Sequence, residues 1–440
     1  YNKIKQRKMK KASLFILFVV LCFTHISAQQ ANIGTKDTRD SVVVIKKEAV
    51  KKGMMYIPLP VFQFNTDKGA MFGLMMSVYN FGDGQYYPNT KSNIDILAQY
   101  STKGSLETSI KYDNKYMFND TRLIANAAYK YDKCYQFYGF NGYKSYFDNN
   151  VSKTFYYFDR RNILAEVNIL RDFKENLKWK LGYSFNYFDN RNADLNNINK
   201  GKSKNEQFLG ETLFEKYRKW GLISGDQAEG GIVSKINFGL RYDTRDQEAA
   251  PQMGIFAEAD IEIAPKFLGT KHPYSKYEIN WRQYIPLYKE RLIFAYKLNY
   301  MGLLGENVPY YAIPPNNTVR GILINRIQSQ DIVSSNLELR YLFPNVRIFK
   351  QNIAFGLNAF FDTAKAMREY KITFNGDERY RQEYEQYISM GSKEKWHSAA
   401  GFGFQVLINR NFIMRFEYGV PFNKQDNYGG SFYATGAYHF

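Results

Sequence analysis

Extended backbone turns successive side chains to opposite faces, so every second residue of a strand records one environment. In IFAEADIEIA, residues 255–264, Ile255, Ala257, Ala259, Ile261 and Ile263 share one face, and Glu258, Asp260 and Glu262 share the other. FIMRFEYGV repeats the pattern, with Phe412, Met414, Phe416, Tyr418 and Val420 opposite Arg415 and Glu417. YEINWRQY sets Tyr277, Ile279 and Trp281 against Glu278, Asn280 and Arg282. A soluble antiparallel sheet with one wet face has the same period, but its apolar side needs a cover, and no helical segment is patterned to supply one. Strand after strand of this kind predicts an apolar face turned to lipid. Backbone groups in lipid must all be paired, so the sheet has to close on itself.

About sixteen such segments follow one another from residue 56 to residue 440, separated by clusters of Asn, Asp, Gly and Pro. The even number suits a single-chain bacterial barrel. Short connections such as 174–176 and 409–411 alternate with long ones such as 189–228, 301–330 and 366–395. Short turns belong in the periplasm and long loops outside, so both termini are expected to be periplasmic. The fold expected is all-β: a closed, monomeric, antiparallel transmembrane β-barrel whose last strand, ending at Phe440, pairs with the first. Tyr and Phe, 37 and 35 against 4 Trp, are read as the aromatic girdles and lipid face of such a barrel. Mean hydropathy is negative, which argues against a bundle of membrane helices.

From Met9, MKKASLFILFVVLCFTHISAQQ has a basic start, a short apolar run and a small residue at Ala28, the three parts of a secretory signal. Residues 1–28 are therefore expected to be a signal peptide starting at Met9, residues 29–55 a periplasmic linker, and residues 56–440 the barrel. Six of the basic residues, Lys3, Lys5, Arg7, Lys8, Lys10 and Lys11, fall before residue 29, and without them the formal charge of +18 falls to about +12. No compact Lys/Arg tract follows residue 52, so nucleic acid is not an expected partner; outer-membrane lipid is. Cys22 leaves with the signal and Cys134 remains alone, which excludes an intramolecular disulfide or a cysteine metal cluster.

Several motifs recur in a fixed order. GLRYDTRDQEAAPQMG carries Asp243, Arg245, Asp246, Pro251 and Gly254; TVRG carries Arg320 and Gly321; FFDTA spans Phe360 to Ala364. YQFYGFNG, residues 135–142, and IMRFEYGVPF, residues 413–422, add weaker matches, and GSFYATGAYHF places Phe432, Tyr438 and Phe440 on one alternation face. In these positions the chain resembles the BamA/TamA family of outer-membrane barrels, the bacterial surface antigen family. The resemblance implies a strand-and-turn motif at 243–254, a sixth extracellular loop at TVRG folded back into the lumen, a paired motif on the thirteenth strand at FFDTA, and a carboxy-terminal insertion signal. Ile322 stands where an aromatic residue usually follows Arg-Gly, and Ala364 where Gly is usual. Residues 29–55 leave no room for the family's repeated periplasmic domains.

Alternation turns Asn358, Phe360 and Asp362 into the lumen, with Phe355, Leu357, Ala359 and Phe361 outward. On the preceding strand Asn336, Glu338 and Arg340 point inward and Val333, Leu337, Leu339 and Tyr341 outward. The resemblance then implies that Arg320 is clamped by Asp362 first and Glu338 second, with Gly321 allowing close backbone approach. Water in the lumen is expected to hold the clamp's worth to about 1 to 3 kcal/mol.

No catalytic, metal or cofactor site is expected. His272, His397 and His439 have no supporting motif, no G-x-S-x-G occurs, and the acids of residues 258–262 are read as a solvated face. The function implied is assistance in the insertion or translocation of proteins or lipids at the Gram-negative outer membrane, with an unidentified periplasmic or outer-membrane protein partner. A passive channel or a structural, partner-binding barrel is the alternative.

Overall fold

The computed structural model describes residues 50–65, 69–86, 90–118, 121–248, 250–289, 291–348, 351–408, 412–435 and 440. The expected signal peptide and most of the linker fall outside them. Sixteen strands build the wall. The first eight are β1 (Met54–Asn65), β2 (Gly69–Asn80), β3 (Ser92–Ser101), β4 (Leu106–Asn114), β5 (Thr121–Gln136), β6 (Tyr157–Lys174), β7 (Leu177–Arg191) and β8 (Gly230–Asp243). The rest are β9 (Gly254–Ala264), β10 (Tyr274–Tyr288), β11 (Leu292–Leu304), β12 (Asp331–Leu342), β13 (Gln351–Arg368), β14 (His397–Ile408), β15 (Phe412–Pro421) and β16 (Ser431–Thr435). Each is hydrogen-bonded to the next, and β16 returns to β1 through Phe64↔Ala434 and Asn65↔Tyr433. Residues 345–353 form a separate small unit, a hairpin of Val346–Ile348 against Gln351–Ile353. The wall is thus a closed antiparallel barrel of sixteen strands.

The period-two reading places the faces correctly. Ile261, Ile279, Trp281, Leu339, Tyr341, Leu357, Phe361 and Tyr418 are exposed on the outside, whereas Asn336, Glu338, Arg340, Asn358, Phe360 and Asp362 are buried inside. The acids of β9 are not simply wet. Glu258 meets Arg241 of β8 at 2.8 Å and Lys180 of β7 at 2.9 Å, Asp260 meets Lys180 at 2.6 Å, and Glu262 meets Lys235 and Lys276. Neighbouring strands supply the counter-charges that a single strand cannot reveal.

One expectation falls partly outside the described residues and another needs correction. The last strand was expected to run to Phe440; it is described to Thr435, and residues 436–439 lie outside the described residues, while Phe440 is buried with Tyr284, Ile293, Ala295, Leu342 and Ile413 on the lumen side. The aromatic excess was assigned to girdles, yet much of it builds a core in the loops at one mouth of the barrel. Phe137, Phe140, Phe147 and Tyr156 from the β5–β6 loop pack with Phe214, Tyr217 and Trp220 from the β7–β8 loop. Tyr310, Tyr311 and Leu323 of the β11–β12 loop and Tyr387 of the β13–β14 loop join the same cluster. Phe137 is its hub, meeting Phe140, Phe214, Tyr217 and Tyr310 edge-on at centroid distances of 4.9 to 5.8 Å. Short helices, Leu213–Lys219 and Arg381–Ser389, carry part of it, and Thr212 caps the first with Glu215 in a reciprocal pair.

Candidate functional site

The β11–β12 loop is the sixth on its end of the barrel, and it delivers Arg320 to the wall. The guanidinium donates from Nε (2.8 Å) and Nη2 (2.9 Å) to the two oxygens of Asp362 on β13, and the Arg320 backbone N–H adds a third bond of 3.0 Å to the same carboxylate. Nη1 reaches Glu338 of β12 at 2.8 Å and Glu417 of β15 at 2.7 Å. The planar fork suits this two-pronged grip, which an ammonium cannot reproduce. Phe360 lies under the guanidinium, 3.6 Å from Cζ to ring centroid.

Arg340 donates to Glu338 at 2.9 Å, and Arg415 meets both Glu338 (3.3 Å) and Glu417. Three guanidiniums and three carboxylates therefore balance inside one cluster. Arg320 is 3% exposed and Asp362 is fully buried, so lumen water does not screen this pair as expected. Burial opposes the charge on Arg320, but Asp362 and Glu338 outweigh it and hold its pKa well above the usual range.

Gly321 does allow a close approach, though to β15 and not to the wall beside Asp362. Its φ of +91° suits glycine, and a Cβ there would lie 2.8 Å from the carbonyl carbon of Gly419. Gly419 in turn could not carry a Cβ without meeting Gly321 N at 2.9 Å. The Gly321 N–H donates to Tyr433 Oη of β16 at 2.9 Å, and its carbonyl accepts from Asn427 at 3.1 Å. The two departures from the family pattern also come together: Ile322 of the loop and Ala364 of β13 share one buried cluster with Val319, Ile327 and Ile332.

Sequence reasoning named Arg320, Gly321, Asp362 and Glu338, which the structure brings together. It missed Glu417 as a partner, along with Gly419 and Tyr433. The inward parity of Arg415 and Glu417 was visible, but nothing local indicated which wall strands the loop tip would meet.

The other motifs lie elsewhere. Arg245 grips Asp243 through Nε (2.9 Å) and Nη2 (2.8 Å), Asp246 accepts from the backbone of Gln252 and Met253, and Pro251 is buried in this turn. Gly254, at φ +106°, has no room for a Cβ, which would lie 2.4 Å from the Thr244 carbonyl oxygen. Phe432 is exposed on the outer face beside Phe64, at 5.8 Å between centroids. Phe440 lies inside, where its carbonyl oxygen accepts from Arg340 at 3.3 Å. These two do not share a face; residues 436–439, Tyr438 among them, lie outside the described residues.

A second polar node ties the loops together. Arg326, fully buried, donates to the carbonyls of Gly142, Ser145 and Gln425 at 2.7 to 2.9 Å. His397 bridges Asp426 and Glu394, with Tyr143 stacked on its ring at 3.9 Å and bonded to Asp426 through its hydroxyl. Burial, and then Asp426, push the Tyr143 pKa upward. This histidine was read as unsupported because its carboxylates come from two different loops. His272 is partly covered and bonds Asp226 at 3.1 Å.

Comparison with known proteins follows the same geometry. BamA from Haemophilus ducreyi lacking POTRA domains 1-3 is similar in fold, with a TM-score of 0.54 at 16% identity, over 88% of this chain and 70% of that one. CdiB from Escherichia coli gives a TM-score of 0.52 at 9% identity, over 86% of this chain and 62% of that one. This chain therefore spans less than two thirds of CdiB. Among curated proteins none matches. The Omp85 superfamily domain matches residues 89–440. With sixteen strands, a loop clamped inside them and a family match over most of its length, the chain belongs to the Omp85 superfamily of Gram-negative outer-membrane barrels.

Proposed function

We propose that this barrel assists the insertion or translocation of proteins or lipids at the outer membrane, together with a periplasmic or outer-membrane partner protein. The observation that carries the reading is the loop that Arg320 holds against Asp362, Glu338 and Glu417 inside the sixteen-strand wall. The loop held by Arg320 and the aromatic core at one mouth obstruct the lumen, which favours passage at the wall over flow through a passive channel. On this reading the long loops face outward and both termini are periplasmic.

Depletion of the protein is expected to lower the abundance of particular outer-membrane proteins or surface lipids. A large steady ion conductance in planar bilayers, without any such defect on depletion, would establish a passive channel instead. An epitope at residue 50 that labels on intact cells would reverse the orientation.

A further inference from the structure

The outer face of the wall is hollowed where β4, β5 and β6 meet. The outward residues are small there: Ala127 of β5 pairs with Ala165 of β6, and Ala125 with Val167. Ile110 of β4, Val167 of β6 and Tyr183 of β7 stand around them, all exposed to the outside. The result is an open, apolar groove of about 380 Å³. Any hydrocarbon chain fills such a hollow, so the groove alone selects nothing. Selection comes from the charges beyond it.

A crown of cations stands where the same strands reach the end of the barrel that carries the long loops. Tyr131 pairs with Arg161 four residues beyond the Ala127–Ala165 pair and on the same face. The Arg161 guanidinium lies over the Tyr131 ring at 4.7 Å, and Lys133 Nζ lies 5.7 Å from the same ring. Lys133 also packs against Gly104, where a Cβ would meet its Cδ at 3.0 Å, and the neighbouring Lys103 sits 5.8 Å from the Tyr157 ring. Lys202 of the β7–β8 loop is near enough to Cys134 of β5 for its charge to act there, as is Lys103, and Arg191 ends β7. Asp132, Asp159 and Asp189 lie among these five cations, so positive charge is in excess. Arg161 approaches Asp159 and Asp189 only to 3.8 and 3.9 Å, too far for hydrogen bonds. Its donors are not spent on either acid. On the far side of the wall β13, β14 and β15 differ: Met367, Trp396 and Phe422 are exposed at the corresponding end, with Lys365 over the Trp396 ring.

We propose that this flank of the barrel is a binding site for a phosphate-bearing membrane lipid, its headgroup on Lys133, Arg161 and Lys202 and one acyl chain in the alanine groove. The dimensions agree. Four residues rise about 13 Å along a strand, or about 10 Å of depth at a barrel tilt of about 40°. A crown at headgroup level therefore sets the groove inside the adjacent leaflet, whose hydrocarbon is about 15 Å deep. The crown runs from the β3–β4 loop to the end of β7, so strand tilt does not carry the groove from beneath it. A phosphate takes two parallel bonds from a guanidinium and a point charge from each ammonium; a zwitterionic headgroup brings its own cation and gains less. The site lies on the outer face, away from the lumen, and does not depend on the transport reading.

The test is native mass spectrometry of the full chain in detergent, titrated with diphosphoryl lipid A or with phosphatidylcholine. Lipid A is expected to bind several-fold more tightly than phosphatidylcholine. The triple variant Lys133→Gln, Arg161→Gln, Lys202→Gln should weaken lipid A at least about tenfold, since each charge near a membrane surface counts, and leave phosphatidylcholine unchanged. Arg379→Gln, on an exposed side chain of the β13–β14 loop, should change neither. Ala127→Phe with Ala165→Phe fills the groove and should weaken lipid A several-fold with every cation in place. Gel-mobility shift on heating verifies that each variant is folded; Lys133→Gln with Lys202→Gln replaces the triple variant if it is not, and Ala165→Phe alone replaces the groove pair. Equal binding of the two lipids, or lipid A binding that survives the loss of the crown, would overturn the proposal. So would displacement of lipid A by equimolar inorganic phosphate, which would mark an anion site without a chain, or full binding by the filled groove.

Discussion

Replacing Arg320 by alanine strands one carboxylate more than the others. Glu338 keeps Arg340 and Arg415, and Glu417 keeps Arg415 and a 2.7 Å bond from Asn358. Asp362 loses both side-chain bonds and retains only the backbone N–H of residue 320, if the loop stays in place. Because the site is buried, the range for breaking a buried pair applies, about 3 to 5 kcal/mol, and not the 1 to 3 expected for a wetted one. Arg320→Lys should recover part of this, since one ammonium cannot span Asp362, Glu338 and Glu417 together. Arg320→Ala with Asp362→Ala should cost clearly less than the two single changes added, because the second removes the charge that the first leaves unpaired. Urea titration of the purified barrel in detergent, followed by tryptophan fluorescence, gives all four corners of the cycle. A single-variant loss below about 1 kcal/mol, the range of an exposed pair, or an additive double variant, would refute the reasoning.

Gly321→Ala should destabilise the barrel by about 1 to 3 kcal/mol through its left-handed backbone alone, with the crowding against Gly419 added to that; the same urea titration reads it. Arg326→Met should leave the wall intact but expose the β5–β6 loop, because three carbonyls lose their donor; limited proteolysis should then cut near residues 142–145 while the heated-gel shift is unchanged. His397→Phe should keep the stack on Tyr143 but remove the bridge between Glu394 and Asp426, and amide exchange around residues 394–397 should rise.

The wall was legible because lipid outside and water inside impose one period on every strand, and Asp362 could be placed in the lumen from parity alone. What parity cannot carry is the partner of a side chain on another strand. Glu258 looked like one of three wet acids until Arg241 and Lys180 were set beside it. The loop core was hidden for a different reason: Phe137, Trp220, Tyr310 and Tyr387 lie far apart in sequence and follow no common period. Composition showed their excess but not their place.

The two departures from the family pattern lie apart in sequence, but their shared burial makes them one feature. Ile322 is 4% exposed and Ala364 fully buried in the same cluster. A bulky ring at 322 facing glycine at 364, or a smaller chain at 322 facing a methyl group, are two ways of filling one space. Ile322→Phe alone should then overpack against Ala364 and cost about 1 to 3 kcal/mol. Ala364→Gly alone should cost about 0.5 to 1 kcal/mol, through lost packing and a freer backbone. Together they should cost less than the sum, because the glycine makes room for the ring, with a coupling of at least about 0.5 kcal/mol as contacting residues give. Urea midpoints of the two single variants and the double variant measure it. Strict additivity would mean that the ring is accommodated elsewhere, and that the loop and wall substitutions are independent.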